Sequence, residues 1–280
     1  MEAVTHYVAY LSPTGRTRQV ARVVAAALRA RGGAVETLDL GGEGRGTDPA
    51  EWMAGARDRV CVWVGSPVYA HHPIPQVQRF VGGLPVFPNG RAVPFVTWGS
   101  VTSGMALWDL GAGLAARGYG LLGAAAVPAV HCTFWRSAAP LGAGRPHRED
   151  LAQVESLVAG VLEKLRTGGG FLDPAVLDYQ PPAVRVVSEG ASLEKAKARM
   201  PPRAVLEARC TRCGACEAAC PVGAVALDPY PVFDATCTLC NECVRACPEE
   251  AIPFDAEAAM TRIRGLQAQF QETPAPRVFR

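Results

Sequence analysis

Short β-branched, apolar runs alternate with longer helical patterns over the first 167 residues, as repeated βα units require. His6 to Ser12 reads as a strand, followed by a turn and a helix over Thr17 to Arg31 that Gly32-Gly33 ends. Ala34 to Leu40 reads as a second strand. Arg59 to Ser66 and Arg91 to Trp98 are nearly continuous apolar runs, the pattern of strands covered on both faces. Leu121 to Val130 supplies a fifth, weaker strand. Helices are predicted over Pro49 to Asp58, Pro73 to Gly82, Gly104 to Arg117 and His147 to Arg166. Five strands with intervening helices predict a doubly wound α/β domain over residues 1–167.

Residues 168–202 open with Gly168-Gly169-Gly170, contain Pro181-Pro182 and Pro201-Pro202, and read as a weakly periodic linker. Within it, Ser192 to Met200 can form a short charged helix capped by Ser192. Residues 203–257 form a cysteine-rich second domain. A helix to about Phe270 and a tail with two prolines and no pattern fill 258–280, so the tail either wraps a domain or hangs loose. The 280 residues are 49% apolar and 19% charged, which is globular composition. A net charge of +2 creates no field that favours nucleic acid or an anionic membrane. The most apolar stretch, Gly120 to Val130, is too short and interrupted to cross roughly 30 Å of hydrocarbon at about 1.5 Å per residue, so no membrane span is expected. The N-terminus lacks a basic leader region, which predicts a cytoplasmic protein.

Eight of the ten cysteines fall between Cys210 and Cys247. Such local clustering in a cytosolic context favours metal over disulfides. Residues 210–228 and 237–255 are an internal repeat, CTRCGACEAACPVGAVALD and CTLCNECVRACPEEAIPFD, offset by 27 positions. Each half is CxxCxxCxxxCP. Three closely spaced thiolates wrap one corner of an iron-sulfur cube, and in two-cluster bacterial runs the fourth cysteine ligates the other cluster. Cys210, Cys213, Cys216 and Cys247 are therefore expected to hold one 4Fe-4S cluster, and Cys237, Cys240, Cys243 and Cys220 the second. Two zinc sites would use two CxxC pairs and leave cysteines over. This segment resembles bacterial-type ferredoxins. Residues 205–255 carry eight acids and three bases, net −5, which leaves +7 on the rest of the chain. That acidity either docks a basic partner or merely solubilises the module.

The first strand ends in Leu11-Ser12-Pro13-Thr14-Gly15-Arg16-Thr17 and enters a helix. Small hydroxyl residues and Gly at a helix N-terminus offer backbone N–H groups to a phosphate. The loop is neither GxGxxG nor a Walker loop. It is similar to the phosphate loop of flavodoxins, a [ST]xTGx[ST] run that Ser12, Thr14, Gly15 and Thr17 match, made more cationic here by Arg16 and, to a lesser extent, Arg18. After the third strand comes Gly65-Ser66-Pro67-Val68-Tyr69-Ala70-His71-His72, and after the fourth Thr97-Trp98-Gly99-Ser100-Val101-Thr102-Ser103-Gly104. In a sheet of order 2-1-3-4-5 these loops meet at the switch point, where ligands bind. The resemblance implies FMN there: Ser12, Thr14, Gly15, Arg16 and Thr17 at its phosphate, and Ser66, Pro67, Val68, Tyr69, Trp98, Gly99, Ser100 and Gly104 around its ring. Tyr69 and Trp98 are then the ring-wall candidates. Trp63 and Cys61 read as core. His131-Cys132, at the carboxyl end of the fifth strand, opens an irregular stretch to Pro146 on the flavin side, and His131 and His71-His72 join the site or are ordinary loop residues.

The whole chain resembles the fused flavodoxin-ferredoxin electron carriers of anaerobic bacteria and archaea. The resemblance implies a flavodoxin-like five-stranded sheet followed by an α+β ferredoxin domain, with FMN and two 4Fe-4S clusters. An electron-transfer protein feeding a reductase or activating a metal-cofactor enzyme is expected, with a flavin-dependent reductase of a small molecule as the alternative. A redox partner protein is implied but not identified, and a homodimer stays open. No nicotinamide dinucleotide fingerprint is present. A cluster is expected near the flavin edge, on the same side of the sheet as the phosphate loop.

Overall fold

The computed structural model describes residues 4–56 and 59–280. Part of the N-terminal stretch read above (1–3) and the end of the helix expected over Pro49 to Asp58 lie outside them. Strands β1 (Thr5–Tyr10), β2 (Ala34–Asp39), β3 (Val60–Tyr69), β5 (Arg91–Trp98) and β7 (Ala124–Pro128) pair in parallel in the order β2-β1-β3-β5-β7. This is the expected 2-1-3-4-5 order. Two short pieces add to it: β4 (His72–Pro73) folds back on β3, and β6 (Gly120–Leu121) pairs with β5. The run Leu121 to Val130 is therefore two strands, because the chain breaks at Leu122-Gly123.

Helices α1 (Arg16–Arg29) and α5 (Arg148–Thr167) pack on one face, and α3 (Pro75–Gly83) and α4 (Ala106–Ala116) on the other. Along β3, Cys61 and Trp63 join the α1/α5 core while Val62 and Val64 join the α3/α4 core. Both faces are buried, which is why the sequence runs apolar without alternation. The helix expected over 49–58 is one turn, α2 (Pro49–Trp52), capped by Asp48.

Trp63 is fully buried and its indole N–H donates to His6 Nδ1 at 3.3 Å. Burial pushes the His6 pKa down to about 4. The unfolded chain binds this proton near pH 6.5 and the folded chain does not, so stability is fully present above that pH and falls between 6.5 and 4. The loss attributable to His6 should approach roughly 3 kcal/mol. Urea unfolding of wild type and His6→Gln at pH 7 and pH 4.5 checks this. The gap between the two proteins should narrow or reverse at the lower pH, and a pH-independent gap would refute it.

Residues 168–202 are not a bare coil. They carry α6 (Pro182–Glu189) and α7 (Leu193–Ala198), the latter capped by Ser192 Oγ accepting from Lys195 N at 3.1 Å. Leu177 is buried in the α3/α4 core. The cysteine-rich part follows with α8 (Ala215–Ala218), a two-stranded ribbon of β8 (Val225–Leu227) and β9 (Pro231–Phe233), and α9 (Glu242–Ala246). Helix α10 (Ala256–Phe270) ends where the sequence predicts and begins on an Asp255 cap.

The tail wraps. Its last strand, β10 (Arg277–Phe279), pairs antiparallel with β7, so the main sheet has a sixth strand where five were expected. An edge of small apolar residues, Ala124-Ala125-Ala126-Val127, leaves bare N–H and C=O groups that the tail satisfies. Ahead of it Glu272 is clasped: Oε2 accepts from Thr102 Oγ1 (2.8 Å), Ser103 N (2.8 Å) and Gln180 Nε2 (3.1 Å), and Oε1 from Ser103 Oγ (2.6 Å). The clasp fixes the end of α10 over the loops at the carboxyl edge of the sheet.

Candidate functional site

The cysteine repeat is visible in the backbone. Left-handed conformations recur 27 residues apart at Arg212 and Leu239, Gly214 and Asn241, and Gly223 and Glu250. Each places a CxxC turn or the turn after the crossing cysteine. Helices α8 and α9 begin at the same offset. The amide of Ala224 donates to Cys220 Sγ at 3.1 Å, and that of Ala251 to Cys247 Sγ at 3.2 Å. Hydrogen bonds of this kind stabilise thiolate sulfur and raise a cluster's potential.

Four thiols, those of Cys210, Cys213, Cys216 and Cys247, line one small cavity. Cys237 and Cys220 lie within electrostatic reach of Cys243, and Cys247 and Cys210 within reach of Cys216. Cys247, the last cysteine of the second run, thus meets the three of the first, and Cys220 lies near Cys243. All ten cysteines are free thiols. An all-sulfur set such as Cys210, Cys213, Cys216 and Cys247 suits an iron-sulfur cube. The two ends differ: Cys213 is exposed, while Cys240 and Cys243 are each 7% exposed.

A second cavity, of about 560 Å³, lies at the carboxyl end of the sheet. Thr14, Arg16 and Thr17 line it, with Pro67, Val68, Tyr69, Trp98, Gly99 and His131. At the N-terminus of α1, Gly15 takes the left-handed conformation (φ 82°) and no acid stands in the first turn. Ser12 Oγ accepts from Arg18 N at 2.9 Å, and the amides of Thr14, Arg16 and Thr17 have no partner among the described residues. These N–H groups and the exposed Arg16 make a cradle for an anion. Arg18 is spent elsewhere: its guanidinium pairs with Asp39 at 2.8 Å.

Trp98 is 2% exposed, lines the cavity, and has a buried indole N–H without a partner among the described residues. An acceptor on a bound ring would satisfy it. Ala70 (φ 47°), His71 (φ 74°) and Ser100 (φ 60°) hold left-handed backbone in the two ring loops, a concentration of strain typical of ligand clamps. The residues present therefore fit a phosphate joined to a planar ring.

Ser12, Gly15, Ser66, Ser100 and Gly104 do not line the cavity. Ser66 Oγ accepts from Ile74 N at 3.0 Å, Ser100 Oγ donates to Ala129 O at 3.3 Å, and Gly104 packs directly on the His71 backbone. They shape the loops from behind. His72 is also held outside, by Asp109 at 2.7 Å and Ser188 O at 2.8 Å. Its pKa rises through the Asp109 hydrogen bond. Burial pushes His71 and His131 down to about 4, with the Arg262 charge adding to the effect at His131. Burial raises the pKa of both the Cys132 thiol and the Tyr69 hydroxyl, which line the same cavity.

The roof was not read from the sequence. Val186, Val187, Leu193, Arg199 and Met200 of the linker segment and Ala259, Arg262, Ile263, Leu266 and Phe270 of α10 close the cavity. The positions 259, 263, 266 and 270 form one helical stripe, the signal that could have marked a buried face. Leu239 and Asn241, on either side of Cys240, are also in the wall. Hence the second cysteine run abuts the cavity at Cys240.

Residues 204–226 and 234–254 each match a family model described as a 4Fe-4S binding domain. The chain thus joins a doubly wound α/β sheet of order 2-1-3-4-5 to two 4Fe-4S binding domains in tandem, which indicates two clusters. No curated protein matches. Among solved structures, the chain is similar to rubredoxin oxygen:oxidoreductase of Desulfovibrio gigas, at 20% identity over 58% of this chain and 36% of that one, with a TM-score of 0.46. It therefore spans about a third of that protein's length. A flavodoxin from the domain Archaea matches at 16% identity, 58% and 99% coverage and TM-score 0.41. Flavodoxin 2 of Bacillus cereus matches at 16%, 57% and 99%, with TM-score 0.43. Among the described residues no helix is long and apolar enough to cross a membrane.

Proposed function

We propose that this chain is an electron carrier that holds FMN in the large cavity and two 4Fe-4S clusters in the two cysteine quartets. The observation that carries the reading is the shared wall: Leu239 and Asn241, flanking Cys240, line the same cavity as Thr14, Arg16 and Trp98. Clusters exchange single electrons, and a flavin takes up one or two, so the pair joins one-electron to two-electron chemistry. The chain's own part is positional. Cys210, Cys213, Cys216 and Cys247 hold one cluster toward solvent at the exposed Cys213, where acids such as Glu217 and Glu249 suit a basic redox partner. Cys237, Cys240, Cys243 and Cys220 hold the other against the cavity. Helices α7 and α10 keep water from the ring.

Anaerobically prepared protein should contain one FMN, with about eight irons and eight sulfides per chain. Stoichiometric zinc would overturn the reading. On rapid mixing with a reduced low-potential ferredoxin, flavin bleaching should be fast in wild type. It should be slow in Cys240→Ala if that quartet lies on the route.

A second reading, a reductase acting directly on a small molecule, is favoured by one observation. The cavity is roofed by α6, α7 and α10, elements outside the doubly wound fold. Turnover of a small acceptor without any partner protein would select this reading.

A further inference from the structure

The large cavity carries more positive charge than a single phosphate cradle calls for. Arg16 stands at the N-terminus of α1, whereas Lys195 and Arg199 come from α7 and its end, and Arg262 from α10. No Asp or Glu is among the lining residues. Lys195 is occupied, its Nζ donating to Gly190 O at 2.7 Å. Arg199 and Arg262 form no ion pair or side-chain hydrogen bond among the described residues.

These two arginines come from the roof segments, whereas Arg16 comes from the loop at the head of α1. Arg262 lies within electrostatic reach of His131, which follows β7, and both line the cavity. The α7 segment is tied to the second cysteine run, Lys197 Nζ donating to Ala235 O at 2.6 Å. The same roof segments bring apolar side chains to the lining, among them Leu193, Ala196, Met200, Ile263 and Leu266, beside the polar Ser192 and Gln269. A planar guanidinium favours a carboxylate in a two-point geometry, and an apolar wall favours a hydrocarbon body.

We propose that Arg199 and Arg262 form a carboxylate subsite in the roof, which admits small monocarboxylates with an apolar body beside the flavin site. The subsite deepens the reductase reading and rests on the assignment of the cavity to FMN. His131, which lines the same cavity, gives the carboxylate a hydrogen-bonding neighbour.

The probe is benzoate, titrated into the oxidised whole protein by calorimetry, with the flavin absorption band followed in parallel. Saturable binding that perturbs the band is expected, with benzyl alcohol binding far more weakly. Arg199→Gln and Arg262→Gln should each weaken benzoate roughly 10- to 100-fold, the loss of one charge-assisted contact, while FMN content stays that of wild type. Arg262→Lys should retain part of the affinity. Absence of benzoate binding, equal binding by the Gln variants, or equal binding of benzyl alcohol overturns the subsite. So does loss of FMN in the Gln variants, which would assign both arginines to the flavin. If the protein as prepared holds no FMN, the flavin assignment fails, and the calorimetric comparison of wild type with the two variants still decides the subsite.

Discussion

Cys220→Ala should remove the iron-sulfur centre assigned to Cys237, Cys240 and Cys243 and spare the one at Cys210, Cys213 and Cys216, although Cys220 belongs to the latter run in sequence. The expected iron content falls from about eight to about four per chain. Cys247→Ala should do the reverse. The argument is steric. A CxxCxxC turn closes around one corner of a cube, and the short helices α8 and α9 then carry Cys220 and Cys247 away from their own turns. Cys247 arrives in the cavity lined by Cys210, Cys213 and Cys216, and Cys220 beside Cys243. Each crossing thiol also receives a backbone N–H, from Ala224 or Ala251, so its charge is partly compensated where it arrives. Iron analysis with EPR of the reduced variants reads the result. The low-potential signal that survives in Cys220→Ala should be the one lost in Cys247→Ala. If both variants lose the same signal, or if Cys220→Ala loses the centre of its own run, the crossed arrangement is wrong.

The cysteine repeat was fully legible because its chemistry fixes residue type, spacing and turn conformation together. Arg212 and Leu239 have no side-chain chemistry in common, yet both adopt the left-handed backbone that a CxxC turn imposes. The sheet was legible for a related reason: strands buried on both faces must read as apolar runs, and Val60 to Val64 and Ala92 to Val96 do. The roof was hidden because its sequence answers to surfaces made elsewhere in the chain. Helix α10 has no fully buried residue, and its stripe gains meaning only against His131 and the ring loops. Similarly, β10 is three residues long and exists because the β7 edge needs a partner. Glu272 looked like any tail acid. Only the buried hydroxyls and amide of Thr102, Ser103 and Gln180 show what it does. Among the loop residues, hydroxyl type alone did not separate Thr14, which lines the cavity, from Ser12, which caps the helix behind it.

The flavin assignment makes a sharper demand on the loop at the start of α1. If that loop holds a phosphate, the protein should bind FMN at least ~100-fold more tightly than riboflavin, which differs by the phosphate alone. Charge-assisted hydrogen bonds contribute roughly 1.5 to 3 kcal/mol each, and two or more should form from the amides of Thr14, Arg16 and Thr17. The N-terminus of a 14-residue helix with no acid in its first turn adds attraction. The side chain of Arg16, next to these amides and lining the cavity, adds to them, whereas Arg18 is held by Asp39. Arg16→Gln should therefore weaken FMN about 10-fold or more and leave riboflavin nearly unchanged. Arg18→Gln, by contrast, should affect both flavins alike and only through loss of its tie to β2. Fluorescence titration of flavin-free protein with each ligand measures all six affinities. Equal affinity of wild type for FMN and riboflavin would show that the amides at the head of α1 serve no phosphate, and the cavity would then need another occupant.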